Sequence, residues 1–317
     1  MNFQYRQTTV WPDRCVPIAA RLLHGDKMRG SHARASPLSM IFERTTETRM
    51  FEPLNKGHAI SEAIFFFEFE NVPANTLNAM LKSYPRVAEI LPRNEEMPGM
   101  VFEQSSAGFS MNQVPGAEWK HFKPDGYLDW LARLTTNSVS VHCTDYTRWS
   151  EVWPIAYDIL GPIFRACDDH PLPLVNVGLR YIDRFDFNGD PADYDVSMLI
   201  RPDNPHIAPQ VLRGGTRWHN YTGWFEPSEH LKIAVLQQLN VDAVEQPPKN
   251  LPIVSITHAS LLRRQRPGQL DDYRRFTHIN DSPVSKLMEL AHDNNQKLLR
   301  EVLTDNMLQR IGLGSEE

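Results

Sequence analysis

The run from Leu174 to Phe187, LVNVGLRYIDRFDF, constrains the fold more than any other stretch of the chain. Val175, Val177, Leu179, Tyr181, Phe185 and Phe187 fall on one parity, and Asn176, Arg180, Arg184 and Asp186 on the other. A long strand with one apolar and one polar face follows, because successive side chains in an extended backbone point to opposite sides. Such a strand belongs in an antiparallel sheet covered on one side only. Residues 63–70 (AIFFFEFE) repeat the pattern, with Phe65, Phe67 and Phe69 opposed to Glu68 and Glu70.

Around these two segments the pattern is that of an α+β protein. Strands are predicted near residues 100–106, 127–135 and 139–145, the last two joined by Thr136-Asn137-Ser138 as a hairpin turn. Further strands are predicted over 211–225, 231–244 and 252–264. Asn75 is read as the N-cap of a helix reaching Tyr84. Val152, Ile155, Ala156, Ile159, Leu160, Ile163, Phe164 and Cys167 recur at spacings of three and four, one apolar helical stripe, with a kink expected at Gly161-Pro162. Ser282-Pro283 opens a second long helix with Val284, Leu287, Met288, Ala291, Leu298, Val302 and Leu303 along its stripe, interrupted by Asn294 and Asn295. Thr304 is read as capping a last short helix that Gly312 ends. The turn-rich Asn188-Gly189-Asp190-Pro191 divides the chain. The expected architecture is therefore a mainly antiparallel sheet in two related halves, 50–187 and 188–317, each with a long amphipathic helix on one face.

Residues 1–49 are unlike the rest. They hold eight Lys/Arg against four Asp/Glu and show neither strand alternation nor a helical stripe. They are expected to be a disordered or non-native extension, with Met50 as the natural start. Residues 50–317 then carry 25 Lys/Arg against 35 Asp/Glu, an acidic balance that gives no support to a nucleic-acid partner. Three scattered cysteines, Cys15, Cys143 and Cys167, form neither a disulfide framework nor a CxxC site, which suits a reducing cytoplasm. No apolar run approaches the ~20 residues of a membrane-spanning helix, so no membrane role is expected.

The sequence contains no GxxxxGK[ST], GxGxxG after a strand, HExxH, GxSxG or paired CxxC. No cofactor or metal is expected. Three groups of residues remain as candidates. Arg165 and His170 have the residue types and spacing of a phosphodiesterase or ribonuclease pair, histidine as acid or base and arginine on the phosphate. Pro171 sets His170 at the helix terminus, where a cationic ring is also simply a good match to the dipole. The polar strand face offers Glu68, His142, Arg180 and Arg184 to a ligand or protein partner, against the plainer reading of a solvated face laced with ion pairs. Arg263, Arg264 and Arg266, with Tyr273 and Phe276 nearby, offer a basic loop to nucleic acid. The Trp-rich stretch 218–224 is a further lining for a ligand groove or a set of cross-strand pairs.

Taken in order, AIFFFEFE, LTTNSVSVHCTDYTRWSEVW (134–153), VGLRYIDRF (177–185), IVSITHAS (253–260) and LTDNMLQRIGL (303–313) give the chain a family likeness. It resembles a sporadically distributed bacterial family defined by its sequence profile and without an agreed activity. The resemblance implies a shared fold and bacterial origin, and it permits a defence or toxin–antitoxin role. It carries over no site residue. The expected function is binding to a protein partner, with Arg180 and Arg184 as anchors; the alternative is nucleic-acid phosphodiester cleavage by Arg165 and His170.

Overall fold

The computed structural model describes residues 51–314 apart from 71, 106, 107, 229, 230, 232 and 248–250. The extension expected at 1–49 lies outside the described residues. In chain order the elements are β1 (Phe51–Pro53), β2 (Ile60–Phe69), α1 (Ala74–Leu81), β3 (Arg93–Glu96), β4 (Gly99–Ser105), β5 (Gly108–Val114), β6 (Ala117–Phe122), β7 (Leu128–Leu134) and β8 (Ser138–Cys143). They continue with α2 (Trp149–Arg165), β9 (Leu174–Phe187), β10 (Trp218–Glu226), β11 (Val235–Gln246), β12 (Leu251–Arg263), α3 (Pro283–Val302) and α4 (Asp305–Arg310).

Ten strands form one sheet in the order β10-β11-β12-β9-β2-β8-β7-β6-β3, with β1 also on β9, while β4 and β5 make a separate hairpin. Every pairing is antiparallel. The two-faced strand β9 lies near the middle, between β12 and β2. An antiparallel α+β architecture is thus what the molecule has.

One face of the sheet is gripped by the helices. Phe65, Phe67 and Phe69 of β2 meet α2, with Phe67 and Phe164 rings 4.7 Å apart and Phe65 and Trp153 rings 5.3 Å apart. Ala156, Ile159, Leu160 and Ile163 are fully buried on the same interface, whereas Ile155, counted in the stripe, is exposed. The same sheet face carries a second apolar cluster, where Phe185, Phe187, Leu239 and Val241 pack with Leu298, Leu299 and Val302 of α3 and with Met307 and Leu308 of α4. Burial of this many aromatic and branched side chains is the main source of stability, at roughly 25 cal/mol per Å² of apolar surface.

Several local expectations are corrected. The cap of α1 is Pro73, so Asn75 is inside the helix, which stops at Leu81. Residues 211–213 form a 3-10 turn rather than strand, and β10 begins only at Trp218. Ser282 and Thr304 hold the N-cap positions, yet their hydroxyls donate to the Arg275 and Met198 carbonyls instead of capping. β1, β3, β5 and β6 are strands beyond those that the periodicity predicts.

The sheet face turned away from the helices, here the open face, is not uniformly polar either. Ile64, Phe66, Leu236, Ala259 and Leu261 form a buried apolar cluster on it. Strand register lines up Phe66, Gly178, Leu261, Leu236 and Phe225 as one row across β2, β9, β12, β11 and β10. Gly178 is required there, because a Cβ would come 2.5 Å from the Ser260 carbonyl oxygen and 2.6 Å from the Leu261 Cβ.

Candidate functional site

Glu68, His142, Arg180 and Arg184 all lie on this open face, as the alternation predicts, but they do not converge. His142 and Arg180 flank Ile64 in one row, with Glu68 four residues away in one direction and Arg184 four in the other. Each has an internal partner. The Arg180 guanidinium lies over the Phe66 ring, 5.6 Å from its centre. Arg184 donates to Asp186 at 2.7 Å and to Gln246 at 2.9 Å. His142 is 2.6 Å from Glu62 and 2.9 Å from Ser140, and Glu68 accepts from Asn176. Farther along, Glu118 is buried between Lys120 and Arg133. Burial pushes its carboxyl up, but the two cations outweigh that and hold it below the usual range.

Arg165 and His170 are not brought together. Arg165 donates to the Phe276 carbonyl, while the His170 ring faces the Asn75 amide and its carbonyl accepts from Arg274. The basic loop is likewise dispersed: Arg264 pairs with Glu70, Arg263 and Arg266 are exposed, and Tyr273 and Phe276 are core residues that present no ring to a base. Cys143 and Cys167 are buried free thiols pushed up to about 12 by that burial, which makes them inert.

The molecule's two sheet edges differ sharply. β3 is four residues long and reads Arg-Asn-Glu-Glu, with Arg93 paired to Glu95 and Glu95 to Lys120. Short, charged edges resist pairing with another chain. β10 is nine residues long, contains no proline, and pairs with no strand on its outer side among the described residues. Its exposure alternates strictly: Trp218, Asn220, Thr222, Trp224 and Glu226 are half-buried, while Tyr221 and Phe225 on the open face are 61% and 57% exposed. The apolar row through Phe66, Leu261 and Leu236 therefore ends at the sheet edge on an uncovered Phe225.

A second group of polar residues lies under the sheet, where α3 crosses it. The Glu226 carboxylate accepts from Trp224 Nε1 at 3.0 Å and from Gln237 Nε2 at 3.2 Å. Gln237 Oε1 then lies 3.0 Å from His258 Nε2, and His258 Nδ1 lies 3.0 Å from the Asn295 amide oxygen. Burial lowers His258 to about 4, so the ring is neutral and holds one proton. Glu226 pins the Gln237 amide, so Nε2–H donates to Gln237 and the Asn295 amide must turn its nitrogen toward Nδ1. Glu226 and His258 also line a shallow groove with Trp224, Asn294, Lys297 and Glu301. Of the Trp-rich stretch, Trp224 lines this groove, and Trp218 and Trp224 both pack against the second apolar cluster. On β9, Asp183 is wholly buried with Oδ2 unpartnered, and burial raises its carboxyl to about 7.

Sequence reasoning passed over three of these features. Asp183 and His258 stand at core-parity positions of otherwise apolar strands, which was a readable signal. The β10 edge had none, because being an edge is a property of the sheet.

No family model and no curated protein matches the chain. Among solved structures, the di-domain ARO/CYC StfQ from the steffimycin biosynthetic pathway aligns with 74% of this chain and 96% of its own, at 8% identity and a TM-score of 0.17. That likeness is too slight to carry an argument. Among the described residues no helix is long and apolar enough to cross a membrane, and no group of His, Cys, Asp and Glu has the makings of a metal site.

Proposed function

We propose that the protein works by binding another polypeptide along the outer side of β10. The carrying observation is the contrast of edges: β10 is long, uncharged over 218–225 apart from His219 and studded with exposed Tyr221 and Phe225, whereas β3 is short and charged. An added strand would satisfy the outward N–H and C=O groups of β10 and cover the two rings, which is recognition by strand addition. Arg180 and Arg184, the anchors expected from the polar face, are engaged with Phe66, Asp186 and Gln246, so the edge rather than these two residues carries the reading.

The strand order supports a finer reading of the fold. β2 opens a unit that ends with β8 and α2, and β9 opens one that ends with β12 and α3; in each the first strand pairs with the last. β2 and β9 pair antiparallel, as a two-fold relation between two related halves requires. On this reading β9 belongs with the second half, and β10 corresponds to β6. β6 is covered by β3, while β10 has no such cover among the described residues. The resemblance to the sporadic bacterial family belongs to the same proposal, with a dedicated partner in a defence or toxin–antitoxin setting.

Co-purification from the native host with the wild-type chain and with the Tyr221→Lys/Phe225→Lys variant tests the edge. Both positions are exposed, so the melting temperature is expected to hold while a partner is lost. An identical set of partners for both proteins would sink the proposal.

A further inference from the structure

We infer that the polypeptide accepted by β10 is a second copy of this chain, paired antiparallel through β10 about Gly223. The inference rests on the reading of β10 as a binding edge, and it is carried by the self-complementarity of that strand.

On the open face Tyr221 and Phe225 stand at equal spacing on either side of Gly223. An antiparallel copy centred there sets Tyr221 of each chain opposite Phe225 of the other. Both exposed rings are then covered at once, as cross-strand aromatic pairs. Gly223 faces its own counterpart between the two pairs, with no side chain to hold the backbones apart. On the helix-covered face Thr222 meets Trp224, and Asn220 meets Glu226. Apart from the Tyr221 phenol, the ionisable side chains of β10 are His219 and Glu226. Glu226 meets an amide and His219 lies outside the overlap, so no like charges are opposed.

Neighbouring registers lose these features. A copy centred on Thr222 sets Tyr221 against glycine and Phe225 against His219. A copy centred on Tyr221 pairs the tyrosines but sets Gly223 against His219 and carries Phe225 past the strand. The register about Gly223 alone of these pairs all four rings. It also extends the apolar row of Phe66, Leu261, Leu236 and Phe225 onto Tyr221 of the second copy. The result is an isologous dimer with one continuous sheet and an end to the unpaired edge.

Light scattering across a concentration series and register-specific cross-linking test this. Wild-type mass is expected to rise from one chain to two over the micromolar range, and Phe225→Lys is expected to raise the dissociation constant about tenfold or more. Cross-linking uses a Cys15→Ser background, in which Cys143 and Cys167 stay buried. On mild oxidation the double variant Tyr221→Cys/Phe225→Cys is expected to link, as is a mixture of the two single variants. Either single variant alone should not link, because neither position faces itself. A chain that stays monomeric to about 100 µM overturns the inference. So does a dimer indifferent to Phe225→Lys, or single variants that link as readily as their mixture. A monomer that still loses a different partner through Tyr221→Lys/Phe225→Lys would leave edge binding standing and remove self-pairing.

Discussion

Asp183 on β9 and His258 on β12 stand on the same buried face as diagonal neighbours, since Asp183 is opposite Ile256 and His258 is opposite Tyr181. Around Asp183 lie the phenols of Tyr146 and Tyr181, and around His258 the Gln237, Asn295 and Glu226 chain. Burial acts on the two in opposite senses. An unfolded aspartate gives up its proton near 3.8 and the folded one near 7, so between those values the folded chain holds an extra proton and loses stability as pH rises. An unfolded histidine takes up its proton near 6.5 and the folded one only near 4, so the folded chain is one proton short and gains stability as pH rises. Across pH 4 to 6.5 the two slopes cancel. His58 and His292, also lowered by burial, add to the histidine side of this balance; relative to the wild type, Asp183→Asn should therefore steepen the rise of urea-unfolding stability with pH across this window, and His258→Gln should reduce it. Variants whose curves run parallel to the wild type would refute the assignment. Both residues were visible in the sequence as polar members of an apolar parity, but which groups face them depends on α3 and on β2, far away in the chain.

At the scale of elements, legibility follows apolar content. β2, β9, α2 and α3 each carry enough apolar residues at a fixed period for face and type to be read directly, and their orientation in the structure agrees. β3, reading Arg-Asn-Glu-Glu, has no apolar residue and is a strand only because β6 lies beside it. β6 offers two large apolar side chains, Trp119, wholly buried, and Phe122 at its exposed end; its Glu118 and Lys120 suggest solvent until Arg133 and Glu95 are placed against them. The interruption of the α3 stripe at Asn294 and Asn295 also acquires a cause, since they bond Ser260 and His258 beneath the sheet. The α2 interface should dominate stability. Phe164 contacts Phe67, Phe69 and Phe276, and Phe164→Ala is expected to cost about 3–5 kcal/mol in chemical denaturation. A loss under about 1 kcal/mol would mean that the site collapses around the smaller side chain.

For the whole molecule, the sheet is continuous from β10 to β3, with its long central strand bonded on both sides and its two edges treated differently. Hydrogen exchange in dilute solution should therefore be slowest in β9 and its neighbours and fastest in the outward amides of β10. Raising the protein concentration should slow β10 selectively, and uniform protection along the sheet at all concentrations would contradict the edge assignment. The sequence by itself determined which residues of each long strand share a face and which stripe each long helix buries, because both are periodicities of a local backbone. Only the tertiary structure decided that β9 lies between β12 and β2, that apolar residues from five strands line up on the nominally polar face, and that β10 ends the sheet. Those outcomes depend on which strands bury one another's surfaces, a choice made across nearly the whole described chain and written into no single segment of it.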